Sequence, residues 1–204
     1  MVSADRVLTE QQLAKLMKVI KAEPQKSILA IEAAPKYKPK EARIIIDYFI
    51  FAIIAHTGLR ISEALNLKWT DLHDDFLVVQ PEHSKNGKKG TVYFGTKTKA
   101  LLDDLRVLRS GILKRTKTEL IFSLNGLVPS RSYLHSRFKH WLSLTGLPNG
   151  LSIHSLRHTY ATLCLDKGLS ITFVKENLRH SNISITSQYL HLTRESRNKV
   201  KDLF

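Results

Sequence analysis

The residues with the most informative chemistry are two arginines, a lysine, two histidines and a tyrosine. They are Arg60, Lys85, His154, Arg157, His180 and Tyr189. A phosphodiester that is attacked by a side-chain oxygen needs positive charge on its non-bridging oxygens, a proton acceptor and a proton donor. The set supplies all three, and it therefore predicts a site for phosphoryl transfer.

The two arginines and the tyrosine fit this chemistry most closely. Arginine suits a phosphate clamp because its planar, permanently charged guanidinium can bond two phosphate oxygens at once. Tyrosine is a poor nucleophile while it keeps its proton, since its unperturbed pKa is about 10. It needs a neighbouring base and a cationic pocket. His180 and the arginines are candidates for supplying these to Tyr189.

Each of these residues also has an ordinary explanation when it is considered alone. Arg60 fits a solvated charge, Lys85 fits a surface turn, and Tyr189 fits a core aromatic. His154 and His158 have the spacing of metal ligands on a helix, but the sequence offers no Cys/His cluster to complete a zinc site. The occurrence of the whole set in one order favours a shared site, with no metal and no cofactor.

The motifs that surround these residues resemble those of the tyrosine recombinases, the phage-integrase type. That family has the signature arginine, lysine, H-x-x-R, histidine or tryptophan, and tyrosine. The matching segments are residues 57–65, Lys85, residues 154–159, and residues 178–183 leading to Tyr189. The resemblance runs through most of the sequence.

The resemblance implies a role for each position. Two arginines clamp the phosphate, the lysine protonates the leaving 5′-oxygen, two histidines hydrogen-bond or shuttle protons, and the tyrosine attacks. In that order they are Arg60 and Arg157, Lys85, His154 and His180, and Tyr189. The implied product is a 3′-phosphotyrosyl link with a free 5′-hydroxyl, formed without metal or ATP. The implied function is site-specific DNA recombination by integration, excision or inversion.

Two further positions bear on the first arginine and the second histidine. Glu63 matches an acidic position that supports the first arginine of the family. Arg179 is a departure, because the family usually has glycine before the second histidine. A bulky cation there would alter the turn that positions His180, or it would add a DNA contact.

Three other functions remain open at this point. A type IB topoisomerase uses similar chemistry, a catalytically silent DNA-binding regulator would keep the fold alone, and a divalent-metal nuclease would need acidic clusters. The pairs Asp74–Asp75 and Asp103–Asp104 are separated by a predicted hairpin, so they are interpreted as surface charges. The integrase-like motifs favour recombination.

The composition indicates a nucleic-acid partner independently. The chain has 32 Lys and Arg against 18 Asp and Glu, a formal net charge of +14, and such an excess is typical of polyanion binding. Double-stranded DNA is the expected partner, and the resemblance implies a homo-oligomer, a synaptic tetramer on DNA. The single Cys164 fits a reducing compartment. The apolar run 44–55 is too short to span a bilayer, so a cytoplasmic, nucleoid-associated protein is expected.

The periodicity predicts a mainly α fold with a small antiparallel β-sheet, an α+β arrangement that resembles the catalytic domain of DNA breaking-rejoining enzymes. Residues 1–204 form one catalytic domain in this interpretation. About eight residues precede the first helix, so the family's N-terminal clamp domain is not expected within this chain. The resemblance then implies either a catalytic fragment or a naturally short member similar to the fimbrial-switch invertases.

The predicted elements place the motifs as follows. Thr9 caps a first helix, and residues 44–55 form a buried helix that ends at Gly58. Between them, residues 23–40 with Pro24 are interpreted as a connector or as a loop over the DNA, and residues 28–31 are compatible with a short helical turn. Strands at 76–79 and 91–94 flank Asn86-Gly87, a hairpin signal, with Lys85 at its tip. Helices are expected at 99–108 and 130–144, after Ser152 and Ser170, and from about 183, the last carrying Tyr189.

Overall fold

The computed structural model describes residues 3–32, 39–83, 87–111, 118–124 and 126–193. Within these ranges the chain is mainly helical with one two-stranded sheet, which confirms the predicted fold class. The helices are α1 (Glu10–Glu32), α2 (Pro39–Thr57), α3 (Ile61–Leu65), α4 (Thr96–Gly111), α5 (Arg131–Ser143), α6 (Ile153–Asp166), α7 (Ile171–Leu178) and α8 (Ile183–Ser187). The strands are β1 (Phe76–Val79) and β2 (Gly90–Tyr93). Short 3-10 turns lie at Ala4–Arg6, Trp69–Asp71, Pro81–His83 and Leu190–Leu192.

Helix α2 is the centre of the core. It packs against α1, α4 and α6, and Ile46, Ile50 and Phe51 are completely buried. A helix that is apolar on all faces is stable only when other elements surround it, so the prediction of a buried helix over 44–55 is confirmed. No helix among the described residues is long and apolar enough to cross a membrane.

Gly58 ends α2 in the left-handed conformation, with φ 65°. A Cβ at this position would lie 2.5 Å from Leu178 Cδ2 and 2.7 Å from Tyr160 Cδ1. Two separate reasons therefore require glycine at position 58, namely its left-handed backbone conformation and the close approach of side chains from α6 and α7. The turn places Arg60 immediately before α3.

Helix α1 corrects the prediction of a connector from residue 23 to residue 40. The helix continues through Pro24 to Glu32, although proline in a helix interior costs about 3 kcal/mol. Pro24 is buried, and the neighbouring Glu23 accepts hydrogen bonds from Trp141 Nε1 at 2.9 Å and Arg137 Nη2 at 2.6 Å. Packing of α1 against α2 and α5 therefore outweighs the tendency of Pro24 to end the helix. Residues 33–38, with Pro35, lie outside the described residues.

The hairpin is confirmed, with β1 and β2 antiparallel and Val79 paired with Gly90. The side chain of Asn177 on α7 attaches β2 to the helix, because it accepts from Tyr93 N at 2.6 Å and donates to Tyr93 O at 3.1 Å. The amide of Asn177 thus satisfies both backbone groups of an edge residue. Residues 84–86, including Lys85 at the predicted tip, lie outside the described residues.

The two predicted caps are confirmed, since Ser152 immediately precedes α6 and Ser170 accepts from Phe173 N at the start of α7. Ser130 caps α5 in the same way, because it accepts from Tyr133 N. The prediction that the last helix carries Tyr189 is wrong in detail, because α8 ends at Ser187. Its sequence of Ile, Ser and Thr has low helix propensity. Tyr189 consequently lies in the turn between α8 and the 3-10 turn that follows.

Candidate active site

The first arginine of the site is held by an acidic side chain one turn further along α3. Glu63 accepts a hydrogen bond from Arg60 N at 2.7 Å and an ion-paired one from Arg60 Nη1 at 2.8 Å. Glu63 is buried, whereas the side chain of Arg60 keeps 22% of its surface exposed. The guanidinium is thereby fixed but still accessible to an anion.

The second arginine, Arg157, is almost completely buried on α6. Its Nη1 donates to Gly58 O at 2.5 Å, and its Nη2 donates to Leu178 O at 2.6 Å. Both bonds go to neutral carbonyl oxygens, so they orient the guanidinium without cancelling its charge. Burial, followed by the charge of Arg60, lowers the pKa of Arg157 to about 9. The group is still a cation at neutral pH and would be stabilised by a bound phosphate.

Three histidines lie close to the arginines. The rings of His154 and His158 are 4.5 Å apart, edge to face, and His180 Nδ1 lies 2.8 Å from the hydroxyl of Thr186. Burial and the neighbouring arginines lower the pKa of His180 to about 3. The pKa of His154 is also lowered, first by desolvation of its ring and then by the charges of Arg157 and Arg60.

His158 is the nearest base to the candidate nucleophile. The hydroxyl of Tyr189 lies 2.8 Å from His158 Nδ1, and burial lowers the pKa of this histidine to about 4. The imidazole is therefore neutral at pH 7. When its proton is on Nε2, Nδ1 accepts the hydrogen bond from the phenol, and this is the geometry for taking up the phenolic proton.

Tyr189 is itself enclosed, with 2% of its surface exposed. Its ring lies nearly parallel to that of His180, with centroids 6.4 Å apart. Burial raises the pKa of Tyr189, while the positive charges of Arg157 and Arg60 lower it. The phenol is protonated at rest and becomes a better nucleophile only where a base and cations surround it.

The structure brings together six of the seven predicted site residues. They are Arg60, Glu63, His154, Arg157, His180 and Tyr189. Lys85 lies outside the described residues. Sequence reasoning did not assign His158 to the site, since it treated that residue only as a metal-ligand alternative. Its position four residues after His154 was the available signal, because such residues share one helix face.

Arg179 resolves the question raised by the missing glycine. The residue adopts the left-handed conformation itself, with φ 55° and ψ 44°, so the turn before His180 is preserved. Its side chain is 8% exposed and forms an ion pair with Glu63, with Nη2 and Oε2 2.5 Å apart. The guanidinium therefore points into the protein.

Carboxylates are few around this centre. In the described part of the chain, no group of three or more His, Cys, Asp or Glu side chains is placed to hold a metal ion. The charges that surround Tyr189 are the guanidinium groups of Arg60 and Arg157. Cationic side chains can stabilise the same developing phosphoryl charge that metal ions stabilise in other enzymes.

Solved structures of site-specific recombinases share this fold. XerH bound to palindromic difH in a post-cleavage complex superposes with a TM-score of 0.73 at 24% identity, over 96% of this chain and 52% of that one. XerA recombinase gives a TM-score of 0.71 at 23% identity, over 97% of this chain and 64% of that one. These likenesses support the predicted breaking-rejoining fold.

Sequence comparison agrees with the fold. Tyrosine recombinase XerC of Lactobacillus leichmannii is 34% identical over 151 residues, which are 71% of this chain and 50% of the relative. XerD of Lacticaseibacillus casei is 28% identical over 151 residues, 73% and 51% of the two chains. The chain thus spans about half the length of these curated relatives. Since the sequence profile of the phage integrase family also matches residues 6–196, the chain belongs to that family, the tyrosine recombinases.

Proposed function

We propose that this chain is the catalytic domain of a site-specific DNA recombinase that cuts and rejoins DNA through a 3′-phosphotyrosyl intermediate. The observation that carries the proposal is the pairing of Tyr189 with His158 beside two arginines. The hydroxyl of Tyr189 lies 2.8 Å from a neutral base, His158. The buried guanidinium of Arg157 donates two hydrogen bonds, and both go to neutral backbone carbonyls. Membership of the tyrosine recombinase family supports the same chemistry.

The proposed roles follow the geometry. Tyr189 is the nucleophile, His158 accepts its proton, and Arg60 and Arg157 bind the non-bridging oxygens of the scissile phosphate. Glu63 holds Arg60 in place. His154 and His180 supply hydrogen bonds to the phosphate, and Lys85 is the general acid.

The reaction balances without an external energy source. Tyr189 Oη forms a bond to phosphorus while the bond from phosphorus to the 5′-oxygen breaks. The phenolic proton passes to His158, and the leaving oxygen receives a proton from Lys85. Because one phosphodiester replaces another of similar energy, a 5′-hydroxyl from a partner strand can reverse the step without ATP. Strand exchange results when that hydroxyl comes from a second DNA site.

The proposed partners are double-stranded DNA and further copies of the protein. One relative of this fold, λ integrase, is known as a dimer bound to a core site, and XerH is known bound to difH DNA. The formal net charge of +14 supports phosphate-driven binding that weakens with salt. A synaptic tetramer on DNA and a cytoplasmic, nucleoid-associated location are proposed with this activity. Residues 1–204 are proposed to constitute one catalytic domain.

The test is covalent capture on a nicked suicide substrate. Duplexes from the sequences flanking the gene are incubated with the protein in chelator, and a denaturation-resistant protein–DNA adduct is sought. The wild type is expected to form the adduct, and Tyr189→Phe is expected to form none. An adduct that survives in Tyr189→Phe would overturn the proposed nucleophile.

Strand exchange then separates recombination from simple relaxation. Joining of a labelled strand to a second copy of the cleaved site is expected. Relaxation of supercoiled plasmids without a cognate site would instead indicate a topoisomerase, and salt-sensitive binding with no adduct on any duplex would indicate a silent DNA-binding protein.

A further inference from the structure

We infer that Arg179 is a positioning residue that connects the loop end of the β-hairpin, at the Val79–Gly90 pair, to the phosphate-binding Arg60 through Glu63. The inference rests on the proposed function for its effect on cleavage. It concerns a position at which this chain departs from the glycine usual in the family, and three contacts of the Arg179 side chain carry it.

The first contact fixes the guanidinium at the end of its own helix. Arg179 Nη1 donates to Asn177 O at 3.0 Å, while the backbone N–H of Arg179 bonds to Glu176 O at 2.8 Å. The side chain therefore folds back over the C-terminus of α7, where carbonyl oxygens lack partners within the helix. A glycine could form the same turn, but it could not make this bond.

The second contact is the ion pair with Glu63. The buried carboxylate receives donors on both oxygens, because Oε1 pairs with Arg60 Nη1 and Oε2 accepts from Arg60 N and Arg179 Nη2. With Arg179 in place, the carboxylate has one well-determined orientation. Without it, Oε2 keeps its bond from Arg60 N but loses its charged donor, and the carboxylate that orients the Arg60 guanidinium is held less firmly. Arg179 thereby controls the geometry of a group that it does not touch.

The third contact reaches the hairpin. A Cβ on Gly90 would lie 2.3 Å from Arg179 Cδ and 2.9 Å from Cγ, so the stem of the arginine occupies the space next to the first residue of β2. Gly90 pairs with Val79, and this is the strand pair nearest the loop that connects β1 to β2. The loop end of the hairpin, Arg179 and Glu63 therefore form one packed stack beside the site. A shift of the hairpin would move the arginine, and through Glu63 it would move Arg60.

The packing can be tested without DNA by a double-mutant cycle. Gly90→Ala is expected to lower the thermal midpoint in the wild-type background by several degrees, because the added methyl group collides with the arginine stem. In an Arg179→Gly background the same substitution is expected to shift the midpoint little. Glycine at position 179 keeps the left-handed turn, so the cycle isolates the side chain. Equal losses in the two backgrounds would overturn the stack.

The effect on the site is tested by single-turnover cleavage at saturating suicide substrate. Arg179→Gly is expected to slow cleavage about tenfold or more, since small misplacements of a catalytic group are costly. Its affinity for the DNA is expected to stay within about twofold of the wild type. Glu63→Gln is expected to slow cleavage as well, and the double variant is expected to be no slower than the worse single variant. Lys15→Ala, which removes one positive charge from the exposed side of α1, is the matched control.

The outcomes distinguish this inference from the proposed function. If the wild type forms an adduct and Arg179→Gly cleaves at the wild-type rate, the inference fails and the proposed function stands. If the wild type forms no adduct on any duplex, the proposed function fails. Additive losses in the Arg179→Gly and Glu63→Gln double variant would show that Arg179 does not act through Glu63, and would also overturn the inference.

Discussion

Tyr189 and His158 form a hydrogen-bonded pair across two elements, with the phenolic oxygen 2.8 Å from the imidazole Nδ1. The histidine is on α6, one residue after the buried Arg157, and the tyrosine is in the turn that follows α8. The proposed nucleophile, the histidine that bonds it and the proposed phosphate-binding cation are consequently fixed by the packing of the last helices against α6. The pair is the basis of the first prediction.

Replacement of the base should slow cleavage without preventing folding. We expect His158→Phe to reduce the single-turnover rate of adduct formation about 100-fold, because general-base assistance of this kind contributes roughly 10²–10⁴-fold. His135→Phe, an exposed histidine on α5, is the control and should react like the wild type. A wild-type rate in His158→Phe would show that another group accepts the phenolic proton.

The second arginine should require its forked geometry and not merely its charge. Arg157→Lys keeps a cation but cannot bond Gly58 O and Leu178 O at once while also facing a phosphate. We expect cleavage to fall by about 10²-fold at saturating DNA, the size of effect that loss of one oriented donor produces. Arg109→Lys on α4 is a matched control, because Arg109 also donates to a backbone carbonyl, the one of Ser123. Equal rates for Arg157→Lys and the wild type would contradict the proposed clamp.

The depressed histidines should make the fold acid-sensitive. The pKa values of His158 and His180 are lowered to about 4 and about 3, against about 6.5 in an unfolded chain. Below pH 6.5 the unfolded state therefore binds more protons, and the free energy of unfolding should fall as the pH is lowered from about 6.5 to 4. Each histidine contributes at most about 1.4 kcal/mol per pH unit.

One buried carboxyl opposes this trend and provides its control. Burial raises the pKa of Asp47 to about 6, so its protonation favours the folded state as the pH falls from about 6 towards its ordinary value. The two histidines change the free energy of unfolding more than the one carboxyl does, so the free energy of unfolding still falls as the pH is lowered. Urea unfolding between pH 7 and 4.5 should show a steeper loss in Asp47→Asn and a shallower one in His180→Gln. A stability that is flat or rises towards pH 4.5 would contradict the proposed neutrality of the histidines.

The attachment of the hairpin should depend on one amide. Asn177 bonds both backbone groups of Tyr93, and its Nδ2 lies 2.6 Å from the Tyr160 hydroxyl. Asn177→Ala leaves the two backbone groups of Tyr93 without this partner and removes one of the bonds of the Tyr160 hydroxyl, and we expect a loss of about 2–3 kcal/mol in unfolding free energy, from typical penalties of about 1–3 kcal/mol per buried unpaired group. Asn182→Ala, which removes only the cap that accepts from Ser184 N, should cost about 1 kcal/mol. A smaller loss for Asn177→Ala than for this control would refute the attachment.

Much of the fold was predictable because the relevant signals are local. The apolar run of α2, the glycine that ends it and the antiparallel pairing of β1 with β2 each follow from short-range preferences. The prediction of a connector at Pro24 was wrong because the contacts that stabilise the helix there are not local. Its proline is accommodated by burial against distant helices, and Glu23 is fixed by residues of α5, which no local pattern contains.

The candidate site divides in the same way. Residue types and order were sufficient to select Arg60, Arg157 and Tyr189, because phosphoryl transfer needs those groups. The partners were not predictable, since the contact of His158 with Tyr189 and that of Arg179 with Glu63 join segments far apart in sequence. The roles of all these residues stay predictions until cleavage is measured.

The two carbonyls that accept hydrogen bonds from Arg157 both lie at the C-terminus of a helix. Gly58 directly follows α2, and Leu178 is the last residue of α7. A helix C-terminus carries a partial negative charge of roughly half an electron from its aligned peptide dipoles. Two such poles therefore converge on one guanidinium and keep it charged in a buried position. Because partial charges do not neutralise it as a carboxylate would, the cation retains attraction for an anion. Its position is fixed by the axes of two helices, one of them the most enclosed in the fold.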